Sequence, residues 1–413
     1  MADETGRKAV KYGYFALALL LAVNLLNYID RQVLYAVFPL VKSDLRLSDT
    51  ALGFLGSAFM LCYMVSAPLF GWIGDRFSRV KMAAGGLFVW SIATAGAGLA
   101  SVYPTLVAAR TAVGIGEASF GTVSPGLLSE YFPVERRGRI LSYFYLAIPV
   151  GSALGYVAGG ILGERFGWHS AFLMVAIPGL LLVIPLLMLR EPLRSAAAAQ
   201  AQTKRSMKDY LSFFGNRSFV LNNLSMAAMT FALGGMAQWM PTFLHRQYGV
   251  NVEYANTVFG ATTVAAGITG TLVGGWLGDW FQRKNQKGYL IVSGWGFIIG
   301  APMIVSALSA PTFALCVPAI LAAEFFLFIN TGPMNTIIVN VTKPGTRAMA
   351  FAVNIFTVHA LGDAISPTIL GFLSDLYGLK NSLMTTPLMI LVAAALCFAC
   401  MRSIDRDTAE ARG

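Results

Sequence analysis

Gly71-Trp72-Ile73-Gly74-Asp75-Arg76-Phe77-Ser78-Arg79 recurs as Gly275-Trp276-Leu277-Gly278-Asp279-Trp280-Phe281-Gln282-Arg283, 204 positions later in a chain of 413 residues. A turn that returns at half the chain length marks an internal repeat, and hence two similar halves. A weaker echo supports it: Gly160-Ile161-Leu162-Gly163-Glu164-Arg165-Phe166-Gly167 against Gly371-Phe372-Leu373-Ser374-Asp375-Leu376-Tyr377-Gly378, at an offset of 211. This second match pairs the fifth apolar segment with the eleventh, as two six-helix units require.

Composition fixes the solvent. With 56% hydrophobic and 12% charged residues, against roughly 25% charged in an average soluble domain, the chain is excluded from the water-soluble globules. Its apolar runs, roughly 20 to 28 residues each, are long enough to cross a hydrocarbon core of about 30 Å. Twelve can be drawn: 12–40, 50–74, 80–101, 104–131, 138–164, 168–190, 218–244, 254–280, 288–309, 311–341, 347–376 and 379–401. The expected fold is an all-α membrane protein, twelve transmembrane helices in two pseudo-symmetric six-helix bundles. Residues 1–190 form the first bundle, 191–217 a cytoplasmic linker and 218–413 the second.

Positive charge orients the spans. Of 30 Lys and Arg, only Lys42, Arg46, Arg165, Arg246 and Lys380 fall in odd-numbered loops and Arg31 and Arg110 inside spans; the remaining 23 lie in even-numbered loops and tails. Both termini are therefore expected on the cytoplasmic side. The net charge of +10 follows from this bias and from anionic membrane lipids, with no nucleic-acid partner. Met1 to Lys11 leads directly into a full span, so no cleaved signal is expected. The patterns Asn216-Arg217-Ser218 and Asn340-Val341-Thr342 sit on cytoplasmic loops, and a bacterial inner membrane and a monomer are expected. Cys62, Cys316, Cys397 and Cys400 fall in spans and read as packing residues. No phosphate-binding Gly-x-x-x-x-Gly-Lys loop or metal spacing is present, so no enzyme, metal or cofactor is expected and a gradient must supply the energy.

Charged side chains inside a bilayer cost at least about 2.5–3.5 kcal/mol on insertion scales. Six occur here: Asp30, Arg31, Arg110, Glu117, Glu324 and Asp363. The first four fall in one slab of spans one and four. Arg110 and Glu117, seven residues apart, share a helix face, so a charge-neutral network is geometrically available. Carboxylates in a cavity whose access changes can take up and release protons, which makes Asp30 and Glu117 proton-coupling candidates. In the second half Glu324 lies 207 positions after Glu117, and His359 and Asp363 form an i,i+4 pair. Apart from Arg347, the first residue of the eleventh span, no Arg falls in spans seven to twelve. Cationic Arg31 and Arg110 facing a wall with Phe325, Phe326, Phe328 and Phe351 suit an amphipathic anion. The competing reading of all these charges is packing.

The chain resembles the major facilitator superfamily from end to end. Gly71-x-x-x-Asp75-Arg76-x-x-Arg79-x-Lys81 is similar to its signature loop, with Ser78 in place of the second glycine. Leu106-x-x-x-Arg110-x-x-x-Gly114-x-Gly116 is similar to its fourth-helix motif. Gly151-x-x-x-Gly155-Tyr156-x-x-Gly159-Gly160 resembles its antiporter-associated fifth-helix motif, with Tyr156 in place of proline. Three further stretches, Leu26-Asn27-Tyr28-Ile29-Asp30-Arg31, Gly114-Ile115-Gly116-Glu117-Ala118-Ser119-Phe120 and His359-Ala360-Leu361-Gly362-Asp363-Ala364-Ile365-Ser366-Pro367, together resemble the Spinster family of lipid transporters. The resemblance implies proton-coupled, alternating-access transport of a lysophospholipid or sphingolipid-like amphiphile, with Asn27 and Tyr28 beside Arg31 among the substrate residues. It also implies a cytoplasmic gate of Asp75, Arg76, Arg79 and Asp279 against the start of the eleventh span, and a meeting of spans five and eight along the glycines Gly151 to Gly160 and Gly267 to Gly275. The alternative is a proton-coupled symporter of a small organic anion, which shares only the first of the three stretches.

Overall fold

The computed structural model describes residues 2–74, 76–192, 207–343 and 346–412, with side chains for all of these except 2–10, 134–135, 207–209, 348 and 412. No strand occurs among the described residues. Eleven helical stretches among them are long and apolar enough to cross a membrane.

The chain divides into two compact units. The first comprises Met1–Leu47, Ala58–Thr203 and Asn251–Gly260. Its helices are α1 (Ala2–Ala36), α2 (Phe38–Leu45), most of α3 (Asp49–Gly74), α4 (Arg79–Gly98), α5 (Tyr103–Glu130), α6 (Val134–Tyr145), α7 (Ala147–Phe166) and α8 (Trp168–Leu187). The polar start of the chain continues α1 rather than forming a separate tail, so α1 has 35 residues. At 28 residues α5 is long enough to span, but Arg110 and Glu117 keep it below the apolarity of the other eleven.

Within this unit α1 packs on α7 and α8, and α4 on α5 and α8. The α1–α7 contact is a backbone approach: a Cβ added to Gly155 would stand 2.6 Å from the Ile29 carbonyl oxygen, and one on Gly151 2.8 Å from that of Leu25. The glycines expected to join spans five and eight thus mainly seat α7 on α1; only Gly160 faces the first turns of the eighth span, at Glu253 and Asn256. Small residues permit such approach where neither lipid nor side chain intervenes.

The second unit comprises Ser48–Ser57, Lys204–Val250 and Ala261–Gly413. It contains α9 (Met207–Ser212), a 3-10 turn (Phe213–Gly215), α10 (Arg217–Tyr248), most of α11 (Val252–Lys284), α12 (Gly288–Ser309), α13 (Phe313–Phe328), α14 (Thr331–Asn340), α15 (Arg347–Leu361), α16 (Ser366–Tyr377), α17 (Leu379–Leu383), α18 (Thr386–Cys400) and α19 (Ile404–Arg412). Its core stacks α10 and α12 on α18, with α13 on α12 and α15 and α16 on α10. Gly270 of α11 approaches α13, where its added Cβ would lie 2.6 Å from the Phe325 carbonyl oxygen.

Five spans read as continuous are each broken. The breaks fall at Val37, Leu146, Ile329–Asn330, Gly362–Ile365 and Met384–Thr385. In each case a proline follows two or three residues after the break: Pro39, Pro149, Pro333, Pro367 and Pro387. Proline donates no hydrogen bond to the carbonyl four residues back and its ring clashes there, which places the interruption. The repeat survives in the turns: Gly167 and Gly378, 211 positions apart, hold φ of 82° and 83° with ψ of 152° each. A side chain at either would strain this backbone.

The terminal helix α19 was not foreseen from apolar periodicity, because it is short and polar. Asp407 accepts a 2.8 Å bond from the Ser218 N–H at the start of α10 and is bound by Arg406 at 2.8 Å. Burial would raise the Asp407 pKa, but the Ser218 bonds and Arg406 hold it below the ordinary value. A depressed carboxyl pKa contributes stability above the unfolded value that is lost as pH falls through the folded one. Asp407→Asn should therefore destabilise the protein by about 1 kcal/mol near neutral pH, and the difference from wild type should shrink as pH falls below the ordinary Asp value of about 3.9. Thermal unfolding in detergent across this range checks it; a constant difference would show that charge at Asp407 is immaterial.

Candidate functional site

The four charges expected between spans one and four meet as two ion pairs inside the first unit. Arg31 Nε donates to Glu117 Oε2 at 2.7 Å, and Arg110 Nη1 to Asp30 Oδ1 at 3.2 Å. Consecutive residues on α1 point about 100° apart, so Asp30 and Arg31 reach two different partners on α5. Asp30 also accepts a short hydrogen bond from the Thr94 hydroxyl of α4.

The pairs differ in access. The side chains of Arg110 and Glu117 are 0% exposed, that of Asp30 3%, and that of Arg31 15%. Arg31 lies 5.0, 5.1 and 4.9 Å from the ring centroids of Tyr28, Phe59 and Tyr63, so three aromatic faces surround one guanidinium. Each such contact is attractive and strongest where water is excluded. Arg110 lies 5.3 Å from the opposite neighbour they share, Phe59. Glu117 Oε1, Arg110 Nε and Nη2, and Asn27 Nδ2 have no hydrogen-bond partner among the described residues. Because unmet buried polar atoms are costly, this is a site with capacity for further polar contacts. Thr94, Phe59 and Tyr63 were missed in the sequence; a lone hydroxyl or ring in an apolar span carries no signal until its neighbours are known.

The second unit is built differently. Glu324 of α13 is buried, and its Oε1 accepts a 2.7 Å bond from Thr263 of α11, while Oε2 has no hydrogen-bond partner among the described residues. Its counterpart Glu117 meets an arginine; Glu324 meets a hydroxyl. His359 Nδ1 and Asp363 Oδ1 stand 2.8 Å apart, half-buried, across the break between α15 and α16. A buried amide cluster that the sequence reading passed over joins Asn223 to Asn354, with Asn354 also 3.3 Å from Met226 Sδ. The adjacent pair Asn222-Asn223 in an apolar span was the available cue. Of the expected aromatic wall, Phe326 approaches Gly296 and Gly300 through its carbonyl oxygen and Cβ, and the Phe328 ring lies against Gly267. The Phe328 ring thus serves a helix contact.

The described gate residues each make contacts within their own unit. Asp75 lies outside the described residues. Arg76 stacks 4.0 Å from the Trp72 ring and donates to the Trp72 carbonyl. Arg79 binds Glu130 through both Nη atoms, at 2.9 and 2.6 Å, and Glu191 through Nε at 3.0 Å. Burial would raise Glu191, but the Val80 N–H, the Ser78 hydroxyl and Arg79 hold its pKa below the ordinary value. Asp279 accepts from the Tyr289 hydroxyl at 2.8 Å, at the start of α12.

Paired helical repeats with ion pairs buried at mid-span are the arrangement of a secondary transporter. Residues 20–367 match the family model of the Major Facilitator Superfamily. The chain is 33% identical over 369 residues to the sphingosine-1-phosphate transporter SPNS2 of Xenopus tropicalis, covering 86% of this chain and 72% of that protein. To human protein spinster homolog 1 it is 32% identical over 381 residues, covering 87% and 72%. A crystal structure of a bacterial homologue of the human lysosomal transporter Spinster, inward-facing and unoccupied, superposes with a TM-score of 0.88 over 96% of this chain and 98% of that one, a likeness of fold at 23% identity. The chain belongs to the Major Facilitator Superfamily, in its Spinster branch, and is a membrane transporter.

Proposed function

We propose that the protein moves amphipathic lipids of the lysophospholipid or sphingolipid type by proton-coupled alternating access. The observation that carries this reading is Arg31, a partly exposed guanidinium held by Glu117 at 2.7 Å inside a cage of Tyr28, Phe59 and Tyr63. A planar guanidinium suits the oxygens of an anionic headgroup, and the rings and Asn27 give that headgroup an amphipathic surround. The names of the relatives support a lipid cargo. Arg110, expected as a second substrate cation, serves through Asp30, since it has no exposure of its own.

Asp30 and Glu117 are the principal proton carriers in this proposal, with Glu324, His359 and Asp363 as carriers in the second half. The proposed topology takes α5 as the fourth of twelve spans, residues 1–190 and 218–413 as the bundles, 191–217 as their cytoplasmic linker, and both termini as cytoplasmic. Arg79, with Asp75, Arg76 and Asp279, guards the cytoplasmic side.

The test is uptake into proteoliposomes of a fluorescent lysophospholipid, with and without an imposed pH gradient. Gradient-dependent uptake is expected, with a short organic acid of the same charge left behind. Uptake of the short acid alone would replace this reading with organic-anion symport, and gradient-independent uptake of the lipid would remove the proton coupling.

A further inference from the structure

The sequence echo between 160–167 and 371–378 has a structural counterpart that the transport site does not use. At the end of α16, Asp375 Oδ1 accepts from the Asp49 N–H at 2.8 Å, and Oδ2 accepts from the Thr50 N–H at 2.8 Å and the Thr50 hydroxyl at 2.6 Å. One carboxylate thus caps the first turn of α3. At the end of α7, 211 positions earlier, Glu164 Oε2 accepts from the Val252 N–H at 3.0 Å, the first residue of α11. Free N–H groups and the helix dipole make such an end a favourable seat for a carboxylate.

The likeness extends around both caps. The first-turn acid of α3, Asp49, is gripped by Arg246 through both Nη atoms at 2.7 and 2.8 Å and by the Ser374 hydroxyl at 2.5 Å. The first-turn acid of α11, Glu253, is gripped by Arg165 at 3.0 and 2.8 Å. Gly371 and Gly160, again 211 apart, let the helix ends approach: an added Cβ would reach the backbone of Asp49 and Thr50 in one case and lie 3.3 Å from the Glu253 Cα in the other. In both, a carboxylate late in the sequence repeat holds a helix that begins in the other sequence half. The copies are unequal, since Arg246 is 30% exposed and its partner Asp49 4%, against 59% and 26% for Arg165 and Glu253.

We propose that Asp375 and Glu164 are repeat-related latches that hold the outer side of the carrier closed by capping α3 and α11, and that the Asp375 latch is the stronger. Opening that side requires both caps to release; both carry a bidentate arginine, and the more buried one, whose carboxylate accepts three bonds from the helix start against one, resists longer. The inference rests on the alternating-access reading above, with its cytoplasmic termini.

Nitroxides at Ser43→Cys and Asn381→Cys, two exposed outer positions, report the opening by pulsed distance measurement once the native cysteines are replaced by alanine. Asp375→Asn should raise the open fraction about tenfold, as expected for loss of a charged cap, and Glu164→Gln should raise it less. Asp407→Asn, which removes a cap of the same kind from α10, should leave the distances unmoved. An unchanged distribution in Asp375→Asn, or an equal shift in Asp407→Asn, would overturn the assignment. A second arm does not depend on weakening the fold: Thr50→Cys with Asp375→Cys, oxidised to a disulfide, should stop transport until a reductant is added, and wild-type transport through the oxidised protein would overturn it. A wild type with one outer distance, with and without lysolipid, would remove alternating access itself, whereas two wild-type populations that ignore Asp375→Asn would remove only the latch.

Discussion

Arg31→Ala should weaken binding of an anionic single-chain amphiphile about 10- to 100-fold, as loss of a charge-assisted hydrogen bond requires, while a neutral analogue of equal chain length loses far less. The reason is position. Arg31 is the one cation of the buried set with measurable exposure, 15%, and its neighbours Tyr28, Phe59 and Tyr63 offer a surface to the same ligand. Arg110→Ala is the contrast. Its side chain is wholly buried against Asp30, and removing one member of a buried pair costs about 3–5 kcal/mol because the other charge is left uncompensated. That variant should lose both ligands equally, through the fold. Titration calorimetry with the two amphiphiles separates the cases; equal losses in Arg31→Ala would move the headgroup site elsewhere.

Glu117→Gln and Asp30→Asn should each abolish uphill transport under a pH gradient while preserving exchange of substrate down its own gradient. Both replacements keep the shape of the acceptor, so Arg31 and Arg110 retain a partner oxygen, but neither can gain and lose a proton. An anionic headgroup and Glu117 would compete for one guanidinium, and a proton on Glu117 would remove the competitor. Coupling then follows from differential affinity of the ligand for the two protonation states. Accumulation and counterflow assays on the same proteoliposomes measure the two activities. Variants that keep the wild-type pH dependence would reduce these carboxylates to packing elements.

The parts of this molecule that depend on solvent and on period were legible in the chain. Apolar length marked eleven of the twelve expected spans, and the recurring Gly-Trp-x-Gly-Asp turn marked the repeat. The partners on α5 were also legible, because Arg110 and Glu117 lie seven residues apart and so on one face. Three features were not. Thr94, Phe59 and Tyr63 are ordinary residues of apolar helices, and their roles come only from which helices become neighbours. The helix breaks come just before Pro39, Pro149, Pro333, Pro367 and Pro387, yet Pro68, Pro125 and Pro241 lie inside helices that stay continuous; local sequence cannot tell a proline that is accommodated from one that interrupts. The glycine faces of α7 and α11 announced close approach, and the resemblance named each as the other's partner; Gly160 does meet the first turns of α11, but Gly151 and Gly155 lie against α1 and Gly270 against α13.

The two outer caps carry a further implication about how such a chain arises. A contact made twice, with the carboxylate from one half and the helix start from the other and then the reverse, is the contact of a twofold-symmetric dimer of half-length subunits, in which one surface meets its own copy. In that ancestor any substitution changes both copies together, so the two fastenings are bound to equal strength. Gene duplication and fusion remove the constraint. Asp375 with Asp49, and Glu164 with Glu253, have since diverged in burial and in hydrogen bonding, and their arginines, Arg246 and Arg165, come from positions that the repeat does not relate. A fused chain can therefore make its two halves let go in sequence, which no symmetric dimer of identical subunits can encode.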